Sequence, residues 1–334
     1  MGVRVLKAGM LTSVQDLERI GYQSQGITTS GVMDRRSAKI ANLLLDNAEN
    51  EAVIEFTLIG PVLEFTSDTI IAITGGDFNP KINKKPVDMY RAIYVSKGDI
   101  LEFSSAIRGS RGYIAFSSYL NVPVVMGSRS TNMKSGIGGF DGRKLQSGDL
   151  LYFRIKRRYL PYFLSRKLDI NEFTDNIVEL RVIMGPQDDY FTKEGCATFL
   201  NNEYVVTSEF DRMGCRLEGP FIAMKGSSDI ISEAVTFGSI QVPSHGKPIV
   251  LLSDRQTTGG YAKIATIASV DIPKLVQRKV DSKVRFKAIT VTQAQELIAE
   301  EIKEMDGFRK AIRKPCKEVL ESRLVAKRLR KLFQ

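Results

Sequence analysis

The chain has 334 residues, 43% of them hydrophobic, and it carries no tryptophan, one histidine and three cysteines. That length suits two domains or one large one, no apolar run reaches membrane-spanning length, and a zinc site built on several histidines is excluded. The net charge of +10 sits almost entirely in the last stretch: residues 307–334 hold ten Lys or Arg against two Glu, leaving 38 basic and 36 acidic side chains in the rest. A basic tail therefore sets the high isoelectric point, and a nucleic-acid surface on the body is not expected.

Taken in chain order, the N-terminal segment has charges inside its first apolar stretch, which fits neither a signal peptide nor a membrane helix. Residues 33–46, "MDRRSAKIANLLLD", place Met33, Ser37, Ile40 and Leu44 on one face at helical spacing. Short apolar runs punctuated by Gly, Asn and Asp read as strands: "AVIEFTL", "VLEF", "TIIAIT", "ILEF", "YIAFSS" and "LLYF", then "LRVIMG", "SIQV", "PIVLL" and "KVRFKAI". Between the two sets, residues 154–176 are charged and lack alternation, which reads as a linker. A last helix is expected from Val291, with Thr292 and Gln295 at capping-box spacing. The expected division is residues 1–160, residues 177–290 and a helical basic tail over 291–334. "LIGPVLEF" (58–65) against "LEGPFIAM" (217–224), and "GDILEF" (98–103) against "GDLLYF" (148–153), hint at related halves.

Polar and glycine-rich stretches interrupt the strands. They are "SVQDLERIGYQSQGITTSGVMD" (13–34), "ITGGDF" (73–78), "GSRSTN" with "GIGGFDGR" (within 127–143), "SEFDRMGCRLEGP" (208–220) and "SDRQTTGGY" (253–261). None is a phosphate loop or a dinucleotide fingerprint. The lone histidine, His245, lies among Pro, Ser and Gly and reads as a turn residue. Chemistry therefore falls to carboxylate, guanidinium, amide and hydroxyl groups. Cys196, Cys215 and Cys316 are far apart with no CxxC, which fits reduced thiols in a cytoplasmic protein. "AMKG" at 223–226 partly matches a biotin-attachment sequence, but Gly226 stands where a methionine is needed, so no covalent biotin is expected on Lys225.

In order and spacing, these stretches resemble the family of the C component of 5-oxoprolinase, also described as the antagonist of the Kip kinase inhibitor or as allophanate hydrolase subunit 2. The family is related to the carboxyltransferase domain of urea carboxylase. The resemblance runs from about Val5 to Phe286 through "SVQDLERIGYQSQGITTSGVMD", "IEFTLIGPVLEF", "IAITGGDF", "VPVVMGSRST", "GPQDDYF", "SEFDRMGCRLEGP", "GSIQVP" and "GKPIVLLSDRQTTGGYAKIATI". It implies a mainly β fold with few helices, built as two cyclophilin-like β-barrel domains. It also implies an ATP-dependent complex with subunits A and B that opens 5-oxo-L-proline to L-glutamate, ATP being a cosubstrate of the complex. The alternatives are a regulatory protein that antagonises a Kip-type inhibitor, and a carboxyltransferase acting on urea or another amide with carboxybiotin. No nucleic-acid or membrane partner is implied.

Carried over by motif, Asp254, Asp77 and Arg212 are the candidate catalytic residues, with Asp254 or Asp77 as acid–base or metal-proximal carboxylate and Arg212 as anion clamp. Gln256, Thr257, Tyr261, Ser128, Thr131, Gly76, Asp211, Gln15, Asp16 and Asp34 are candidates for the substrate-binding wall. No residue is assigned as a metal ligand. The competing reading is turn capping for each aspartate and an internal salt bridge for Arg212. The sequence departs from the family pattern at Ser118 and Tyr119, where a Gly-Gly pair is usual, at Val280 and Asp281, where Pro-Gly is usual, and at Cys215, where an aromatic is common.

Overall fold

The structure is a computed structural model that describes residues 1–156, 159–170, 173 and 177–315. Strands dominate. In the first half, two sheets face each other. One runs Leu150–Tyr152, Gly2–Lys7, Val62–Phe65, Ile100–Glu102, Lys81–Ile82 and Lys85–Pro86; the other runs Leu11–Gln15, Val53–Thr57, Arg108–Phe116, Thr69–Asp77 and Ala92–Val95. Side chains alternate faces along a strand. Ile71 and Ile73 accordingly enter the core between the sheets with Ile54, Phe56 and Phe65, while Ile70 and Ala72 point the other way. That outer face is covered by helix α1, Arg35–Leu44, through Ile40 and Leu44.

The second half is a closed seven-stranded barrel in the order Ile177–Met184, Lys263–Ile267, Ser239–Gln241, Ile249–Leu251, Gly214–Glu218, Glu203–Phe210 and Lys283–Ala288. The first and last of these close it as a parallel pair. Two short helices, α2 (Lys193–Asn201) and α3 (Ile272–Val276), pack against it. A two-stranded ribbon, Asp229–Ala234 with Thr258–Tyr261, stands beside it. Helix α4, Val291–Ile312, leaves the barrel and returns to the first half. It buries Met305 and Ile312 in the cluster under α1 and pairs Arg36 with Glu304 at 2.9 Å. No helix among the described residues is long and apolar enough to cross a membrane.

Several expectations are corrected. Helix α1 begins at Arg35, not Met33, because Asp34 caps it by accepting the Ser37 N–H at 2.9 Å. Met33 instead inserts into the core of the second half. The capping box of α4 is Thr290 with Gln293, two residues earlier than expected, since the helix already starts at Val291. Its continuation, with Cys316 and the rest of the basic tail, lies outside the described residues. In the segment read as a linker, Leu160 and Arg166 are buried, and Arg166 Nη1 donates to the Leu44 carbonyl at 3.1 Å. "GDILEF" and "GDLLYF" both open on a glycine with positive φ (Gly98 and Gly148), but both belong to one sheet of the first half, so they are a shared turn and not a half-to-half repeat. In "LEGPFIAM" the strand stops at Glu218; Ile222 N–H then bonds the Gly246 carbonyl, and only Met224 forms an isolated bridge, to Phe191.

At two of the departures from the family pattern the backbone keeps a glycine-like shape. Tyr119 has φ 55° and Asp281 has φ 69°, a left-handed region that disfavours residues with a Cβ. The Tyr119 ring is held by the Arg154 guanidinium at 4.9 Å. Asp281 is exposed, and its side chain makes no hydrogen bond among the described residues. Replacing Asp281 with glycine should therefore stabilise the chain by up to about 1 kcal/mol. Urea unfolding should show a raised midpoint with an unchanged slope.

Candidate functional site

The first functional segments meet in a buried polar seam between the halves. Glu55 lies mid-strand in an apolar run and is 3% exposed. Its carboxylate accepts the Met33 N–H at 2.7 Å, the Tyr113 hydroxyl at 2.8 Å and Arg212 Nη1. Arg212, 4% exposed, sits on the tight turn between two barrel strands. Its Nε and Nη2 grip Asp254 at 2.8 and 3.1 Å, and Nη2 also donates to the Gly31 carbonyl at 2.6 Å. Burial alone would lower the Arg212 pKa; Asp254 and Glu55 outweigh it and hold the guanidinium charged. Burial, reinforced by Glu55, pushes the Tyr113 hydroxyl well up, so it remains a proton donor to Glu55.

Gln277, at the C-terminal end of α3, extends the seam. Its Oε1 accepts the Ser110 and Arg111 N–H groups at 2.9 Å each, and its Nε2 donates to Asp34 at 2.9 Å. Ser253 donates to the Val32 carbonyl at 3.1 Å, and Arg255 Nη1 donates to Thr29 Oγ1 at 3.1 Å. The glycine-rich stretch 13–34 thus lies along the junction, bonded to the stretch 253–261.

A second cluster lies inside the first half. Asp16 accepts Ser128 Oγ at 2.7 Å, Arg129 N–H at 2.6 Å and Ser130 Oγ. Thr131 Oγ1 donates to the Val14 carbonyl at 2.8 Å, and Gln15 Nε2 donates to the Thr131 carbonyl at 3.2 Å. Arg19 is buried beside them, with Nη2 on the Ser130 carbonyl at 2.8 Å; burial lowers its pKa while Asp16 and Asp254 push it back up. Carboxylates from two different motifs therefore act on one guanidinium.

The third element is a cavity of about 490 Å³ at the side of the barrel, within the size range of small-molecule sites. Asp211, Arg255, Gln256, Gly259, Gly260 and Tyr261 line it, over an apolar floor that includes Phe210 and Leu251. Asp211 is engaged in capping its own turn, accepting Met213 N–H at 2.7 Å and Gly214 N–H at 3.0 Å. At Gly259 a Cβ would come within 2.4 Å of the Gln241 amide, so a larger residue there would displace that side chain.

The expected residues thus divide. Asp211, Gln256 and Tyr261 line the cavity, while Thr257 beside them accepts the Val235 N–H through its carbonyl. Gln15, Asp16, Ser128 and Thr131 form the internal cluster. Asp254, Arg212 and Asp34 are in the seam, where Arg212 is occupied by protein acceptors instead of facing a ligand, and Asp34 caps a helix. Asp77 is not with them: it borders a separate cavity of about 260 Å³ and pairs with Arg108 at 3.4 Å. Gly76 is buried in the sheet, where a Cβ would meet the Arg108 carbonyl at 2.6 Å. His245 is an exposed turn residue, as expected, accepting Lys247 N–H at 3.2 Å. Among the described residues no group of three or more His, Cys, Asp or Glu could hold a metal ion.

Residues 25–288 match the family described as "Carboxyltransferase domain, subdomain A and B". The chain belongs to this carboxyltransferase family. It is 33% identical to the C component of 5-oxoprolinase from Haemophilus influenzae over 88% of its own length and 94% of the relative's. To the C component of the Escherichia coli 5-oxoprolinase it is 32% identical, over 87% and 93%. Among solved structures, the K. lactis urea amidolyase superposes with a TM-score of 0.85 at 28% identity, over 92% of this chain and 20% of that one.

For this carboxyltransferase-family chain, sequence reasoning missed Glu55, Arg19, Gln277 and Arg255. Glu55 left a trace, a lone carboxylate within the apolar run "AVIEFTL", which signals a buried partner in a strand with both faces covered. Arg255 sat between two chosen residues as the guanidinium of its stretch without being assigned to the site. Gln277 left none. Removing one member of a buried ion network strands its partners, typically costing about 3–5 kcal/mol. Arg212→Ala should lose stability of that order in urea unfolding, whereas Asp77→Ala, with its pair half-exposed, should lose less than about 1 kcal/mol.

Proposed function

We propose that the chain is the C component of an ATP-dependent 5-oxoprolinase, acting with subunits A and B to open 5-oxo-L-proline to L-glutamate. The observation that carries this reading is that relatives named as this component of 5-oxoprolinase align over nearly their full length, 94% and 93%, whereas the urea amidolyase is matched over a fifth of its chain. The chemistry is compatible. An unstrained lactam resists water near neutral pH, and transfer of the ATP γ-phosphoryl group to the amide oxygen makes the ring carbon open to attack. Water then adds, the C–N bond breaks, and glutamate, ADP and phosphate leave. Such a transfer depends on positioning and on stabilising charge. The cavity offers a guanidinium, an amide, a phenol and glycine backbone for holding a small lactam, and the A and B components complete the active complex.

A second reading has its own support in the family description and in the urea amidolyase likeness: transfer of a carboxyl group from carboxybiotin, carried by another protein, to an amide.

The test is reconstitution with the A- and B-type proteins of the same source. The complex should consume 5-oxoproline and ATP and release glutamate, and omission of this chain should abolish turnover. Gln256→Ala should lower kcat/KM about tenfold, the scale of one lost polar contact. No turnover by the complete set would contradict the proposal. Capture of a biotinylated protein with the complex on avidin, together with bicarbonate-dependent carboxylation of an amide, would favour the second reading.

A further inference from the structure

Arg255 differs from Arg216, the other arginine lining the cavity, and from Arg212 in the seam, both of which are paired with carboxylates. Arg255 is 6% exposed, yet among the described residues no carboxylate lies within ion-pair distance of it. Its hydrogen bonds go to neutral oxygens at the long end of the range: Nε to the Val235 carbonyl at 3.2 Å, and Nη1 to the Leu252 carbonyl at 3.3 Å and Thr29 Oγ1 at 3.1 Å. Nη2 has no acceptor among the described residues, and the side chain lines the 490 Å³ cavity.

The carboxylates that could have neutralised it are committed elsewhere. Glu18 is held by Arg35 at 2.6 Å and Asp254 by Arg212 at 2.8 Å. Within the cavity wall, Glu209 is paired with Arg216 at 2.9 Å, and Asp211 caps its own turn. A buried cation without a counter-ion is costly, and an anion brought to it recovers much of that cost. Burial lowers the Arg255 pKa to about 10, which still leaves it charged at neutral pH.

We propose that Arg255, through Nη2, binds the carboxylate of a small lactam or amide acid and so fixes the orientation of the substrate in this cavity. One free nitrogen, Nη2 with its two N–H bonds, suits a singly charged carboxylate better than a phosphate dianion, whose three oxygens demand more donors. Phe210, Val235, Ile249 and Leu251 supply apolar surface for a ring, and the adjacent Gln256 amide is exposed. At Gly260 nothing lies closer than 3.5 Å to the place a Cβ would occupy, so backbone is open to approach there. The assignment rests on the ring-opening reading above for the identity of the acid, and on the cavity alone for its charge.

The experiment is calorimetric titration of the full chain with 5-oxoproline, with 2-pyrrolidinone (the same lactam without the carboxylate), with glutarate and with inorganic phosphate. The wild-type chain should prefer 5-oxoproline to 2-pyrrolidinone. Arg255→Gln, checked for an unchanged melting temperature, should weaken 5-oxoproline at least tenfold and leave 2-pyrrolidinone as it was, with Arg255→Lys between the two. Equal binding of 5-oxoproline by wild type and Arg255→Gln would overturn the proposal, as would absence of carboxylate binding or a preference for phosphate. If Arg255→Gln does not fold, a crystal structure of the wild-type chain with 5-oxoproline decides: the carboxylate lies within hydrogen-bond distance of Nη2, or the proposal is wrong. If the reconstituted complex fails to turn over 5-oxoproline, the ring-opening reading falls, while loss of glutarate binding in Arg255→Gln would still uphold the carboxylate site.

Discussion

Glu55, Arg212 and Asp254 bring two negative charges and one positive charge together out of water, and the rest of the seam is arranged around them. Glu55 comes from the first half, Arg212 and Asp254 from the second, and separating the halves would expose or strand each of them. Such a network contributes less net stability than an equally well-packed apolar contact would, because desolvation offsets much of the attraction. What it does confer is geometry. A fork-shaped guanidinium between two carboxylates and the Gly31 carbonyl tolerates little sliding, so one relative placement of the halves is selected. Met33, Gln277, Ser253 and helix α4 then bond or pack across the same junction in that placement.

This constraint separates two buried arginines, each of which follows an aspartate in its motif. Arg212 is held by Glu55, Asp254 and the Gly31 carbonyl and serves the fold, while Arg255, next in sequence to Asp254, is buried with no carboxylate in ion-pair distance among the described residues. The stretch "SDRQTTGGY" therefore serves both purposes. Its first half locks the seam through Ser253 and Asp254; its second half forms a ribbon strand whose glycines and Tyr261 wall the cavity.

Much of the fold was legible in the sequence because strand burial is a local pattern. "TIIAIT" and "YIAFSS" declare themselves by β-branched and aromatic residues, and α1 by the spacing of Ser37, Ile40 and Leu44. The misplacements were also local in origin. Met33 fits a helical face by spacing, but Asp34 is the better cap, and Thr292 with Gln295 competes with Thr290 and Gln293 at the same spacing. The site was less legible. Motif positions cluster in sequence whether they face a ligand, cap a turn or cross a seam, and the difference lies in partners far away along the chain. Asp34 meets Gln277 and Arg212 meets Glu55 only after folding. Asp77 and Gly76 share the glycine-rich character of the other stretches, yet Asp77 borders a different cavity and Gly76 is buried against the Arg108 carbonyl within the sheet.

The most direct test of the account is a double-mutant cycle between the halves, using Glu55→Gln, Arg212→Met and the pair, with stability measured by urea unfolding. If the cross-half ion pair is the constraint described, the two changes should be coupled by at least about 2 kcal/mol, the double variant being far less destabilised than the sum of the singles. Additivity to within about 0.5 kcal/mol would contradict it, and would mean that the halves are held in place by packing and by the other hydrogen bonds across the seam.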